Sequence, residues 1–69
     1  MPIIHVQMLA GRTLEQKSEL ADALTRETAR IARCTAADVQ IVFDEVAHAS
    51  WAVGGRLVSA NSAARAEQT

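Results

Sequence analysis

The residue best suited to acid–base chemistry in this sequence is the proline at position 2. If Met1 is removed, Pro2 carries a free secondary amine, the only kind of proline nitrogen that takes up a proton. A free α-amine titrates at about 7.7–8.0, and an apolar pocket or a neighbouring cation lowers that pKa. Proton transfer at neutral pH requires a base of this kind. The alternative interpretation of Pro2 is structural, because proline is also tolerated at the first residue of a strand.

Two further side chains could complete a small site around such an amine. The guanidinium of Arg12 could bind a carboxylate through two parallel hydrogen bonds and also lower the pKa of the amine. Trp51, the only tryptophan, could wall a pocket and exclude water from it. Each has a plainer interpretation, since a single loop arginine is usually solvated and tryptophan is enriched at subunit interfaces. The two interpretations of Trp51 agree if the pocket lies at an interface.

Other classes of function find little support in the composition. Cys34 is the only cysteine and the two histidines are isolated, so neither an intrachain disulfide nor a metal site is expected. Seven basic and eight acidic residues leave a net charge of −1, which gives no long-range attraction for nucleic acid or an anionic membrane. No apolar run of about 18 residues could span a bilayer. The N-terminus lacks a signal-peptide pattern, so we expect a cytoplasmic protein.

In two segments, residues 2–9 and 38–44, apolar residues recur at every second position, as in β-strands. Every second residue forms an apolar face in each: Ile4, Val6 and Met8 in the first segment, and Val39, Ile41 and Phe43 in the second. The opposite faces carry Ile3 and Val42, so they are not simply polar.

Between the strands, the pattern predicts a helix over residues 14–33. Thr13 and Gln16 match a capping box, in which each side chain bonds a free backbone N–H at the helix start. An apolar stripe at helical spacing follows, formed by Leu20, Leu24, Thr28 and Ile31. Further along the chain we expect a turn over 34–37, an extended piece over 51–55, a brief strand or hairpin arm over 56–58, and a loose or weakly helical tail over 60–69.

Strand, helix and strand form a β-α-β unit, in which the crossover makes the two strands parallel. One helix covers only one face of the sheet, whereas parallel sheets are normally covered on both. A chain of 69 residues also buries only about 60% of its unfolded surface, which leaves a lone copy marginally stable. The sequence therefore predicts one α/β domain over residues 1–69, completed by oligomerisation.

Four segments of the sequence resemble the 4-oxalocrotonate tautomerase family. They are Pro2-Ile3-Ile4, the run Gly11-Arg12-Thr13 with Glu15-Gln16-Lys17 after it, Val39-Gln40-Ile41-Val42 followed by Glu45, and Trp51-Ala52-Val53-Gly54-Gly55. The spacing fits from residue 2 to about residue 59 without an insertion. The resemblance implies a β-α-β subunit, commonly in a homohexamer built as a trimer of dimers, and it implies neither a metal nor an organic cofactor.

The same resemblance implies an isomerase. The mature N-terminal proline, here Pro2, is expected to be the general base that shuttles a proton between carbons of an enol or 2-oxo acid. Arg12 matches the arginine that binds the substrate carboxylate, and Trp51 matches the aromatic residue that keeps the pocket apolar.

One position departs from the family pattern. The best-known members carry a second arginine in the second strand, contributed by a neighbouring subunit, and Gln40 occupies that position here. Glutamine brings no charge, and charged donors bind oxyanions about twice as strongly as neutral ones. We therefore expect a monocarboxylate, such as an arylpyruvate enol, rather than the diacid 4-oxalocrotonate, with Arg56 as another candidate source of charge. An alternative hypothesis is a catalytically silent or specialised subunit that assembles with itself or with a paralogue.

Overall fold

The structure, a computed structural model, describes residues 1–61 and the side chains as far as residue 59. Strand β1 spans Ile3–Leu9, helix α1 Leu14–Ala32, strand β2 Gln40–Val46, and the short strands β3 and β4 span Ala52–Val53 and Arg56–Leu57. Three 3-10 turns lie at Ala36–Asp38, His48–Ser50 and Val58–Asn61. β1 and β2 pair in parallel and β3 and β4 pair antiparallel. The predicted α/β class, with a β-α-β unit and a C-terminal hairpin, is confirmed.

The capping box predicted at the start of α1 is present. Thr13 Oγ1 accepts a hydrogen bond from the Gln16 amide at 3.1 Å, and Gln16 Oε1 accepts one from the Thr13 amide at 2.9 Å. At the other end, Arg33 adopts a left-handed conformation with φ 57° and ψ 52°. The helix therefore ends at Ala32, one residue earlier than predicted.

The predicted bounds of the second strand are wrong by two residues at each end. Asp38 belongs to a 3-10 turn, in which its amide donates to the Thr35 carbonyl at 3.0 Å. The ladder begins where the Gln40 amide donates to the Pro2 carbonyl, and it continues until the Ala10 amide donates to the Val46 carbonyl. The length of β1 therefore sets the length of β2, and the alternation that starts at Val39 begins before the strand does.

The two faces of the β1–β2 sheet meet different surroundings. Alternate residues half-buried towards α1 are Ile4, Val6 and Met8 of β1, and Ile41 and Phe43 of β2. The other face, here called the open face, leaves Ile3 66% and Val42 52% exposed. Further along the same face, Asp44 accepts a hydrogen bond from Gln7 at 3.2 Å and lies 3.7 Å from the His5 imidazole.

A single copy of the chain has almost no core. Val58, at 4% exposure, is the one buried hydrophobic residue in the part of the chain that the structure describes. Leu14 is 80% exposed, and Ile31, which was predicted to lie in the apolar stripe of α1, is 68% exposed. Much of the apolar surface that the sequence offers is therefore left uncovered by the chain itself.

The outer face of α1 carries the mixed charges that the sequence predicts. Arg26 pairs with Asp22 at 3.1 Å, and Arg30 pairs with Glu27 at 2.8 Å. The hydrogen bonds from Arg30, assisted by the charge of Arg26, lower the pKa of the Glu27 carboxyl, and the same bonds raise the pKa of Arg30. Exposed pairs of this kind contribute little to stability.

Replacing Thr13 with alanine should lower the free energy of unfolding by about 1 kcal/mol, because the Gln16 amide loses its capping partner. Urea unfolding at one fixed protein concentration measures the effect. Ser18→Ala, at an exposed position inside α1, is the matched control and should leave the midpoint unchanged or slightly higher. Equal midpoints for the Thr13 variant and the wild type would show that the capping box contributes nothing.

Candidate functional site

Pro2 and Gln40 lie together at the amino end of the parallel sheet. The Pro2 carbonyl accepts the Gln40 amide at 3.0 Å, and Gln40 is the Cα partner of Ile3. The Gln40 side-chain amide also reaches Met1, with 3.4 Å between Nε2 and Sδ. The Gln40 side chain is therefore an uncharged hydrogen-bond donor at the same end of the sheet as the Pro2 nitrogen. In the full chain that nitrogen is bonded to the Met1 carbonyl carbon, so removal of Met1 is required before it becomes an amine.

Arg12 lies at the opposite, carboxyl end of the sheet, in the turn between β1 and α1. It lines a cleft of about 210 Å³ with Met8, Gln16, Lys17 and Leu20. Within residues 1–61, none of the ion pairs involves Arg12. The guanidinium is thus exposed, free of an acidic partner in that part of the chain, and set beside two apolar side chains, which is an arrangement suited to a carboxylate with an apolar body.

Trp51 also lies at the carboxyl end of the sheet, just after the 3-10 turn His48–Ser50. It is half-buried and lines a second cleft, of about 260 Å³, with Gln7, Val46, Ser50 and Ala52. Its carbonyl accepts the Val58 amide at 2.7 Å. Since Gln7 and Val46 belong to the open face, the indole lies at the edge of the uncovered side of the sheet.

The hairpin that follows Trp51 carries Arg56. Gly54 and Gly55 have φ of 61° and 83°, as a tight two-residue turn of the primed type requires. β4 then pairs back on β3, with Arg56 opposite Val53. Arg56 therefore lies on the Trp51 side of the fold, and within one chain it is not placed beside Gln40.

The candidate residues form two groups at opposite ends of one sheet. β1 has seven residues, and at about 3.3 Å per residue it spans roughly 20 Å. The amino-end group, Pro2 and Gln40, is separated by this length from the carboxyl-end group, Arg12 and Trp51. One copy of the chain thus does not bring all four side chains together.

An ion pair between Lys17 Nζ and Glu45 Oε1 lies near Arg12, and the sequence did not predict it. The two side chains are 26% and 27% exposed and join α1 to the end of β2. They are 28 positions apart in the sequence, and only the fold shows that they meet. The one sequence feature that pointed to these two residues is that each belongs to a segment that resembles the tautomerase family.

Neither a metal centre nor a membrane span emerges from the geometry of residues 1–61. Within that range no three His, Cys, Asp or Glu side chains converge as metal ligands would. No helix in the same range combines the length and the apolar character needed to cross a bilayer.

Residues 2–61 match the sequence pattern of a family described as "Tautomerase enzyme". The chain belongs to the tautomerase family. A probable tautomerase of Bacillus cereus is 34% identical to it over 59 residues, which cover 86% of this chain and 97% of that protein. The predicted likeness to 4-oxalocrotonate tautomerases is confirmed, and membership supports a tautomerase-type, isomerase function.

Solved structures of tautomerases share this fold. One, from work on the 4-oxalocrotonate tautomerase isozymes of Methylibium petroleiphilum, is 32% identical with a TM-score of 0.84, over 91% of this chain and 98% of that one. Another is from a heterohexamer 4-oxalocrotonate tautomerase of Chloroflexus aurantiacus, which is 37% identical with a TM-score of 0.81. That likeness covers 86% of this chain and 95% of the other.

Proposed function

We propose that this tautomerase moves a proton between the enol and keto forms of a small 2-oxo carboxylate without a cofactor. The observation that carries the proposal is the placement of Pro2 beside Gln40 at an open end of the sheet. A free proline amine there would have a neutral hydrogen-bond donor next to it. In a chain of the tautomerase family, that pairing supplies a base and a group for the reacting oxygen.

The proton transfer itself needs only these two groups. In the keto-to-enol direction the Pro2 nitrogen accepts a proton from C3, and the electrons of the C–H bond form the C2–C3 double bond. Negative charge then develops on the C2 oxygen, and a Gln40 amide donates a hydrogen bond to it, either from the same chain or from the neighbouring copy that the family resemblance implies. The ammonium of Pro2 returns the proton to that oxygen, which completes the enol and restores the base.

The carboxylate of the substrate is assigned to Arg12, and the shielding of the site from water to Trp51. Because these residues lie roughly 20 Å from Pro2 along β1, we propose that they come from a second copy of the chain. Two copies related by a two-fold axis, with their strands antiparallel, set the amino end of one sheet beside the carboxyl end of the other. The uncovered open face supplies apolar surface for assembly, and a homohexamer built as a trimer of dimers is the proposed state.

Replacing Pro2 with alanine should reduce kcat/KM about 100-fold, because the variant keeps an α-amine but lacks the ring that fixes the nitrogen, and positioned acid–base groups contribute about 10²–10⁴-fold. The measurement is the loss of enol absorbance of an arylpyruvate, with purified protein whose intact mass shows that Met1 has been removed. Ser18→Ala should retain wild-type activity. Equal activity in the Pro2 variant and the wild type would remove the proline from the mechanism.

A shared site predicts complementation between two inactive variants. Pro2→Ala and Arg12→Ala should each be nearly inactive alone, whereas equal amounts refolded together should recover about a quarter of wild-type activity, since each site draws its two residues from different copies. If both residues of a site came from the same chain, the mixture would stay as inactive as its components. The oligomer mass of the mixture, measured alongside, verifies that the copies have assembled.

Gln40 should restrict the enzyme to monocarboxylates. Gln40→Arg should raise kcat/KM for a 2-oxo dicarboxylate about tenfold relative to an arylpyruvate, because the guanidinium can bond the second carboxylate as well as the C2 oxygen, and an arylpyruvate has no second carboxylate. Glu19→Gln, on the exposed face of α1, changes the net charge by the same amount and should leave the ratio unchanged. An unchanged ratio in the Gln40 variant would mean that position 40 does not select the substrate.

A second candidate function is that of a silent or specialised subunit that works with a paralogue. Gln40 favours it, since a partner chain could supply a charged residue that this chain lacks. A heterohexameric relative in Chloroflexus aurantiacus is a precedent for mixed assembly in the family. The intact mass of the native chain separates the two candidates: a retained Met1 leaves the Pro2 nitrogen as an amide, which cannot act as a base.

A further inference from the structure

The ion pair of Lys17 and Glu45 lies between two clefts on the helix-covered side of the chain. Lys17 lines the cleft that holds Arg12, together with Met8, Gln16 and Leu20. Lys17 also lines the neighbouring cleft, together with Glu45 and Phe43. Of the residues that line the two clefts, Lys17 is the one they share, so its stem forms the wall between them.

The register of the sheet brings Glu45 close to the Arg12 cleft. Met8, which lines that cleft, is the Cα partner of Glu45. Paired strands lie about 4.8 Å apart, and partners in a parallel ladder point to the same face. The carboxylate of Glu45 therefore stands beside the Arg12 cleft, and Lys17 is the cation that holds it.

We propose that Lys17 is a positioning residue that keeps the Glu45 carboxylate away from Arg12 and so leaves the Arg12 guanidinium free for the substrate. The inference rests on the proposed role of Arg12 as the carboxylate-binding residue. The Glu45 side chain is 27% exposed, and the Lys17 ammonium is its counterion. Without Lys17, the free guanidinium of the adjoining cleft becomes the partner for Glu45, and that internal pair competes with a substrate carboxylate.

The competition can be measured without turnover. Calorimetric titration with 3-phenylpropanoate, an unreactive arylalkyl monocarboxylate, should show about tenfold weaker binding to Lys17→Met, because one charge-assisted hydrogen-bond site is lost to Glu45. The double variant Lys17→Met/Glu45→Gln removes the competitor and should bind within about twofold of the wild type. Arg26→Met, which removes a cation from an exposed pair on the same helix, is the matched control and should bind like the wild type.

In steady-state kinetics, pairing of Glu45 with Arg12 should raise KM about tenfold for Lys17→Met and change kcat by less than about twofold. The pairing weakens binding of the ground state and the transition state alike. Lys17→Arg should keep both parameters near the wild-type values, because arginine can still hold Glu45.

The double variant distinguishes two possible roles of Lys17: keeping Glu45 away from Arg12, or only stabilising the fold. If Lys17→Met/Glu45→Gln binds 3-phenylpropanoate as weakly as Lys17→Met does, the inference is overturned, because removing Glu45 has then freed nothing. A wild type that does not bind the acid at all overturns the inference together with the Arg12 assignment. Rescue of binding in a protein that converts no enol supports the role of Lys17 and rejects only the tautomerase proposal.

Discussion

One helix lies against one face of a two-stranded parallel sheet, and this arrangement leaves the other face without cover. Ile3 and Val42 stay more than half exposed there, and Val58 is the one buried hydrophobic residue among residues 1–61. Burial of apolar surface is the main favourable term in folding, so a chain that buries so little by itself must obtain stability from contacts between copies. Assembly is therefore the physical condition under which this fold is stable.

The same constraint separates the candidate site residues. The extended strand β1 separates the residues before it from the residues after it, and the parallel crossover puts the starts of β1 and β2 at the same end of the sheet. Pro2 and Gln40 lie at one end, and Arg12 and Trp51 at the other. In the proposed mechanism, the contact that covers the open face also completes the site, so activity and stability depend together on the concentration of subunits.

Local patterns in the sequence predicted local structure well. The capping box placed the start of α1 at Leu14, and strand alternation assigned Ile4, Val6 and Met8 to the helix side. The start of β2 was predicted two residues early because Val39 continues the apolar alternation, although the ladder begins only where Gln40 bonds the Pro2 carbonyl. Alternation reports which face a residue occupies, whereas the partner strand decides where pairing starts and stops.

Non-local features were harder to predict from the same sequence. Arg12 and Pro2 are ten positions apart, and the spacing alone does not say that an extended strand keeps them apart. Lys17 and Glu45 are 28 positions apart, and no periodicity connects them. Both relations depend on tertiary geometry: the first on the direction of β1, and the second on how α1 lies along β2.

The charges around the Arg12 cleft indicate how many carboxylates a substrate can carry. Lys17 and Glu45 neutralise each other, so Arg12 is the one cation of that cleft without an acidic partner in residues 1–61. Gln40 adds a donor but no charge. A single carboxylate on the substrate would balance Arg12, whereas a second one would find no further unpaired cation in that cleft, which is unfavourable wherever the site excludes water. Charge balance in the proposed site therefore favours a 2-oxo monocarboxylate with an apolar remainder, in keeping with the Met8 and Leu20 side chains that flank the guanidinium.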